Sequence, residues 1–98
     1  MTDIRWSHSA RRDYRNLIEW SADRNLAAAD RIADAIERSV ANLADMPQIG
    51  RIGRVLGTRE LVIPRTPYVV IYQIDDTDDR ILLLRILHGA QKWPLTRP

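Results

Sequence analysis

The spacing of apolar residues changes period near the middle of this chain, and that change restricts the fold more than any other feature. Up to about residue 45 the apolar positions recur three and four apart, the pattern of a helix that buries one face. Ala10, Tyr14, Leu17, Ile18 and Ser21 fall on one such stripe, with Arg11, Arg12, Arg15 and Glu19 mostly outside it. Ser7 stands where an N-cap belongs, and the spacing predicts a helix over 8–24. Asn25 can end that helix and cap a second one over 26–45. Ala28, Ile32, Ala35, Ile36, Val40 and Leu43 would form its buried face. So short a connection folds the two helices back as an antiparallel hairpin.

After Met46-Pro47-Gln48-Ile49-Gly50 the helical period is gone, and a loop with Gly50, Gly53 and Gly57 follows. A β-rich run over 58–63 leads into the turn Pro64-Arg65-Thr66-Pro67. A strand is predicted over 68–74, then a polar hairpin loop over 75–79, then the most apolar strand over 80–87, ended by His88-Gly89. Ile4, Arg5 and Trp6 read as a short edge strand at the start. The order is β-α-α-β-β-β. It implies one α+β domain over 1–98, with the N-terminal strand and the helical hairpin packed on a small antiparallel β-sheet. With the loop at 75–79, Ile74 should face Arg80 and Val69 should face Arg85. Alternation then puts Arg85 and His88 on opposite faces unless the strand bulges or ends before His88.

With 98 residues, the core is modest and stability can depend on a partner. The chain has no cysteine, which excludes disulfides, thiolate metal sites and a cysteine nucleophile. No apolar run approaches the length of a membrane span, and the first turns are charged rather than apolar, so the expectation is a cytoplasmic protein without a membrane role. Residues 1–49 carry seven Arg against eight acids, and residues 50–98 carry eight Lys or Arg against five acids. Four of those five are Asp75, Asp76, Asp78 and Asp79, so the rest of the second half is strongly basic. Nearly all the cations are arginine, whose planar fork suits phosphate and carboxylate. His8 and His88 are too isolated to suggest a metal site, and nothing calls for a cofactor.

Several strings in this order resemble one family. They are Ser7 opening a charged first helix, Pro47-x-x-Gly50-Arg51, Gly57-Thr58-Arg59-Glu60-Leu61, Tyr68-Val69-Val70-Ile71-Tyr72, and Ile86-Leu87-His88-Gly89-Ala90 followed by Trp93-Pro94. Together they cover nearly the whole chain and resemble toxins of the RelE/ParE superfamily from type II toxin–antitoxin modules. The resemblance implies neutralisation by a cognate antitoxin in a hetero-oligomer, and one of two poisons. ParE-like members inhibit DNA gyrase; RelE-like members cut mRNA in the ribosome. Fold alone does not choose between these activities.

Metal-free RNA cleavage needs a base, an acid and cations around the phosphate. His88, Glu60, Arg65 and Arg85 are the residue types that could supply them. His88 lies where the YoeB-like branch of the superfamily has a histidine. That branch also has an arginine three residues before the tyrosine matching Tyr72, and here the position is Val69. A RelE-type set of lysines is missing too. These departures favour the ParE-like reading, with the mRNA endonuclease as the alternative and a non-toxic nucleic-acid-binding module as a remote one. Arg51, Arg54, Arg59, Arg65, Tyr72, Arg85, Lys92 and Trp93 are the candidate contacts for target or antitoxin. Arg85, flanked by apolar residues, should need a carboxylate partner such as Glu60.

Overall fold

A computed structural model describes residues 2–89. The expected contacts Lys92 and Trp93, and the end of the last family string, lie outside the described residues. Strand β1 (Asp3–Trp6) is followed by helices α1 (His8–Arg24) and α2 (Leu26–Leu43), then by β2 (Arg51–Ile52), β3 (Arg59–Val62), β4 (Tyr68–Asp75) and β5 (Arg80–His88). Among the described residues, no helix is long and apolar enough to cross a membrane.

The helix ends follow the sequence reading closely because local hydrogen bonds set them. The Ser7 hydroxyl accepts from the Ala10 N–H at 3.0 Å, and the Asn25 side chain accepts from the Ala28 N–H at 3.1 Å. Asn25 also donates its own N–H to Ser21 O at 2.9 Å, so one residue closes α1 and opens α2. The Tyr14 hydroxyl donates to Glu37 at 2.6 Å across the pair. These two residues are nearly equidistant from Asn25, as an antiparallel hairpin requires. On α2 the buried alanine is Ala29 rather than the expected Ala28.

The sheet departs from expectation in three respects. It has five strands in the order β1-β5-β4-β3-β2. β1 lies parallel to β5, pairing Asp3 with Arg80 through Trp6 with Leu83, so the sheet is mixed and not purely antiparallel. The third difference, β2, is a two-residue strand that pairs Arg51 with Glu60 and Ile52 with Arg59, inside a segment whose glycines read as loop.

The register of β4 and β5 also corrects the sequence reading. Asp75 faces Arg80 and Ile74 faces Ile81, one residue away from the expected pairing. The Asp75 carboxylate accepts from the N–H groups of Thr77 and Asp78, which tightens the turn and leaves Asp75 in the strand. A bulge then leaves Leu84 extra, because Tyr72 faces Leu83 while Ile71 faces Arg85. The bulge exchanges the two faces of β5. Ile81 and Leu83 belong to the core before it and Ile86 after it, a three-residue step that unbroken alternation forbids.

That core lies between the helices and one sheet face. Ala10, Leu17, Ile36, Val40 and Leu43 meet Ile63, Tyr68, Val70, Tyr72, Ile81, Leu83 and Ile86. Each large side chain buried there contributes roughly 1.5–3 kcal/mol. Beyond Trp6 no strand among the described residues pairs with the outer edge of β5, and the start of α1 lies along it. Ser7 N–H donates to Leu83 O at 2.9 Å and its hydroxyl to Leu84 O at 3.0 Å. The same hydroxyl therefore caps a helix and satisfies the bulge.

Candidate functional site

The basic residues around β2 and β3 are largely engaged in shaping their own loop. Glu60 sits on β3 opposite Arg51 and is 5% exposed. Its Oε1 accepts from Arg51 Nη2 at 2.9 Å and Nε at 3.3 Å, and its Oε2 accepts from the Arg54 N–H at 3.1 Å. Burial by itself would raise this carboxyl. The Arg54 N–H, the Arg51 hydrogen bond and the charges of both arginines outweigh it and hold Glu60 below the usual glutamate range. A buried carboxylate with both oxygens occupied is poorly placed to take a proton from a substrate, contrary to its expected catalytic use.

Arg59 is similarly committed: its Nη1 donates to Gly50 O at 2.8 Å and Gln48 O at 3.2 Å. Tyr72 is fully buried, and so is no exposed contact. Its hydroxyl donates to Pro47 O at 2.7 Å and accepts from Gly50 N–H at 2.9 Å. Burial raises this hydroxyl's pKa, against the downward pull of the Gly50 N–H and the Arg59 charge. A Cβ at Gly50 would stand 2.6 Å from the Tyr72 hydroxyl. The string Pro47-x-x-Gly50 is therefore the seat of one core tyrosine, with the glycine required by close approach.

Arg85 has a carboxylate partner as expected, but it is Asp13 and not Glu60. Arg85 Nε donates to Asp13 Oδ2 at 2.7 Å and Nη2 to Oδ1 at 3.0 Å, while the Ile86 N–H donates to Oδ2 at 2.9 Å. This hydrogen bonding raises the guanidinium above its ordinary pKa despite partial burial. Asp13 was missed by sequence reasoning. A signal was present: position 13 lies three after Ala10 and four before Leu17, on the buried stripe. An acid there needs a partner from the sheet.

Arg85 and His88 meet at one cleft of about 400 Å³, whose lining includes Asp13, Asn16, Trp20 and Tyr68. Both residues follow the bulge and keep opposite facings. They border one cleft because β5 ends at His88 and Asp13 of α1 holds the Arg85 guanidinium at the strand's edge. His88 stands exposed at the rim, edge-on to Tyr68 with ring centroids 5.9 Å apart. Trp20 is half-exposed, with the Arg24 guanidinium stacked 3.7 Å from its ring centre.

Arg65 lies elsewhere. It occupies the β3–β4 turn with φ 64°, a left-handed conformation uncommon for a side chain of its size. There it borders a second groove of about 710 Å³ between the turn and α2. Ala28, Ile32 and Ala35 give this groove an apolar lining, and Arg31, Arg38 and Arg65 add positive charge against Asp34. The structure thus brings Arg85 and His88 together but puts Glu60 and Arg65 at other places. Arg31 and Arg38, two turns apart on one helix, went unnoticed in the sequence. Among the described residues, no three acidic or histidine side chains cluster as a metal site would require.

Residues 4–93 match the family described as ParE toxin of type II toxin–antitoxin system, parDE. The toxin homologue Y4kP of Sinorhizobium fredii is 34% identical over 91 residues, which are 93% of this chain and 92% of that protein. A chain from the chromosomal ParDE toxin–antitoxin system of P. aeruginosa superposes with a TM-score of 0.78 at 22% identity, covering 90% of this chain and 96% of that one. A chain from the RelBE2 toxin–antitoxin complex of Mycobacterium tuberculosis gives a TM-score of 0.59 at 29% identity, covering 89% and 96%.

Proposed function

The chain belongs to the ParE toxin family of type II toxin–antitoxin systems, and from that premise we propose that it poisons by binding, as a ParE-like inhibitor of DNA gyrase. One observation supports this above others: the groups that metal-free RNA cleavage would recruit are dispersed or engaged. Glu60 is held by Arg51 and Arg54, Arg85 by Asp13, and Arg65 borders the α2 groove. The strand position that an arginine would fill is Val69, facing Leu87.

A specific observation favours the second reading, a ribosome-dependent mRNA endonuclease. Arg85 and His88 line one cleft with Tyr68, an arrangement that can hold a nucleotide between a cation, an imidazole and a ring. Gyrase supercoiling by purified enzyme and mapping of transcript ends in expressing cells separate the two. The binding reading expects inhibited supercoiling, intact transcripts and toxicity that survives His88→Ala. Cleavage at codon positions, abolished by His88→Ala, would replace it with the nuclease.

We further propose that the toxin is neutralised by a cognate antitoxin, as the RelBE2 relative is found in a toxin–antitoxin complex. An acidic, partly disordered antitoxin segment that folds on binding fits the α2 groove. Its apolar side chains would cover Ile32 and Ala35, and its carboxylates would meet Arg31, Arg38 and Arg65. Of the arginines expected as antitoxin contacts, Arg59 and Arg85 are less available because they bond internally. Charge reversal at Arg31 and Arg65 should weaken the complex at least tenfold by titration calorimetry; unchanged affinity sends the antitoxin to another surface.

A further inference from the structure

The hairpin joining β2 to β3 presents apolar side chains to solvent on a scaffold held in place by its own hydrogen bonds. Leu56 is 100% exposed and Ile52 75%, and Met46, Ile49 and Val62 in the same segment are about half-exposed. Single exposed apolar residues are ordinary on protein surfaces, so exposure alone argues little. The organisation around Leu56 argues more. Gly53 N–H donates to Thr58 O at 2.8 Å, Thr58 N–H to Val55 O at 3.1 Å, and the Thr58 hydroxyl to the same carbonyl at 2.6 Å. Gly57 closes the turn at φ 84°, and buried Glu60 fixes both Arg51 and the Arg54 backbone. This network fastens the loop without drawing Leu56 inward.

Charge indicates what such a loop meets. Glu60 is the one acid between residues 46 and 62, and it is buried and paired with Arg51. The segment's outward charge is therefore positive, from Arg51 and Arg54 with part-buried Arg59 beside them. A second copy of the chain would oppose these cations to themselves. The two-residue β2 strand also gives little edge for another strand to extend. Nucleic acid would welcome the arginines but has no use for a fully exposed leucine at the tip of the hairpin.

We propose that this hairpin is the docking element for the toxin's cellular target, a folded protein surface with an apolar socket for Leu56 edged by carboxylates that meet Arg51 and Arg54. It is a surface separate from the α2 groove assigned to the antitoxin. Preorganisation is what makes it effective, because the loop loses little further freedom on binding. An anchor of this kind concentrates binding energy in one or two side chains.

The proposal rests on the binding reading, not on gyrase being the target. Its test compares wild-type chain with Leu56→Asp and Leu56→Ala in four measurements: growth arrest on expression, inhibition of purified gyrase, antitoxin affinity and melting temperature. Leu56→Asp should abolish growth arrest and raise the gyrase inhibitory concentration at least about tenfold. Leu56→Ala should do so partially, and both variants should keep wild-type melting and antitoxin binding. If wild type leaves gyrase untouched yet Leu56→Asp abolishes growth arrest, the gyrase reading falls and the docking element stands. The inference is overturned if Leu56→Asp arrests growth like wild type, or if it loses antitoxin binding in parallel. It is equally overturned if wild type is a dimer by light scattering that Leu56→Asp separates, or if Leu56 variants keep toxicity while Arg54→Glu loses both toxicity and retention of single-stranded RNA.

Discussion

At the edge of β5, Asp13 accepts two hydrogen bonds from Arg85 and one from the Ile86 N–H. At the β2–β3 hairpin, Glu60 accepts two from Arg51 and one from the Arg54 N–H. The partners are chemically the same, but the surroundings differ. Asp13 and Arg85 are 72 residues apart, and their side chains are 15% and 27% exposed, so the pair ties α1 to the part of β5 beyond its pairing with β1. Glu60 and Arg51 are nine residues apart, and the Arg51 side chain is 61% exposed, so that pair shapes one loop and leaves its cation facing solvent. A carboxylate–guanidinium motif is thus a fold staple or a loop brace according to the distance it spans and the water it keeps.

If that contrast is right, Asp13→Ala carries the largest cost. It leaves a half-buried guanidinium and the Ile86 N–H without their acceptor, which should cost about 3 kcal/mol. In a domain of this size the melting temperature should fall by roughly 12–20 °C. Thermal unfolding followed by circular dichroism checks it, and a fall of only a few degrees would erase the distinction between the two pairs.

The next effect tests how firmly the hairpin's approach is fastened. Tyr72→Phe keeps the ring in the core but removes the hydroxyl that joins Pro47 O to Gly50 N–H, for a loss of about 2 kcal/mol. Amide hydrogen exchange should accelerate most at Gly50; uniform acceleration through the sheet would show that Tyr72 supports the whole core instead.

Glu60→Gln should cost about 1 kcal/mol near neutral pH, and its signature is pH dependence. The native carboxyl lies below its ordinary value of 4.5. Its contribution is therefore complete above that value and disappears as pH falls through the lower native one. Wild type should lose stability between about pH 5 and 3 more steeply than Glu60→Gln. Parallel stability curves for the two proteins would contradict the brace.

The smallest effect belongs to Arg51→Ala, at about 0.5 kcal/mol, because the cation is mostly solvated and Glu60 keeps the Arg54 N–H. Denaturant unfolding that showed a loss near that of Asp13→Ala would mean that exposure had misjudged the pair.

Much of the fold was legible because its signals are local. Ser7 and Asn25 carry the caps that set the helix ends, and Asp75 and the Pro64–Pro67 turn announce the chain reversals. The candidate site was legible in part. Arg85 among apolar neighbours called for a carboxylate, and it has one. That the carboxylate is Asp13 follows from α1 crossing the β5 edge, a contact between residues 72 apart. Tyr72 reads from the sequence as a candidate surface contact and is in fact core, because alternation says which residues share a face and not which face the helices cover.

The sequence by itself determined the α+β class, the helical hairpin, the three longer strands after it and the resemblance to one toxin superfamily. Apolar period, caps and turn residues act within a few positions of the chain, where sequence neighbours are also spatial neighbours. Tertiary structure alone decided the parallel pairing of β1 with β5, the extra residue Leu84, and the meeting of Arg85 with His88 at one cleft. It also decided that the shared period change leads to two separate surfaces, a basic apolar groove on α2 and an outward-facing Leu56 on the β2–β3 hairpin. These features depend on packing between distant segments, where a one-residue shift in register reverses which side chains meet and which face water.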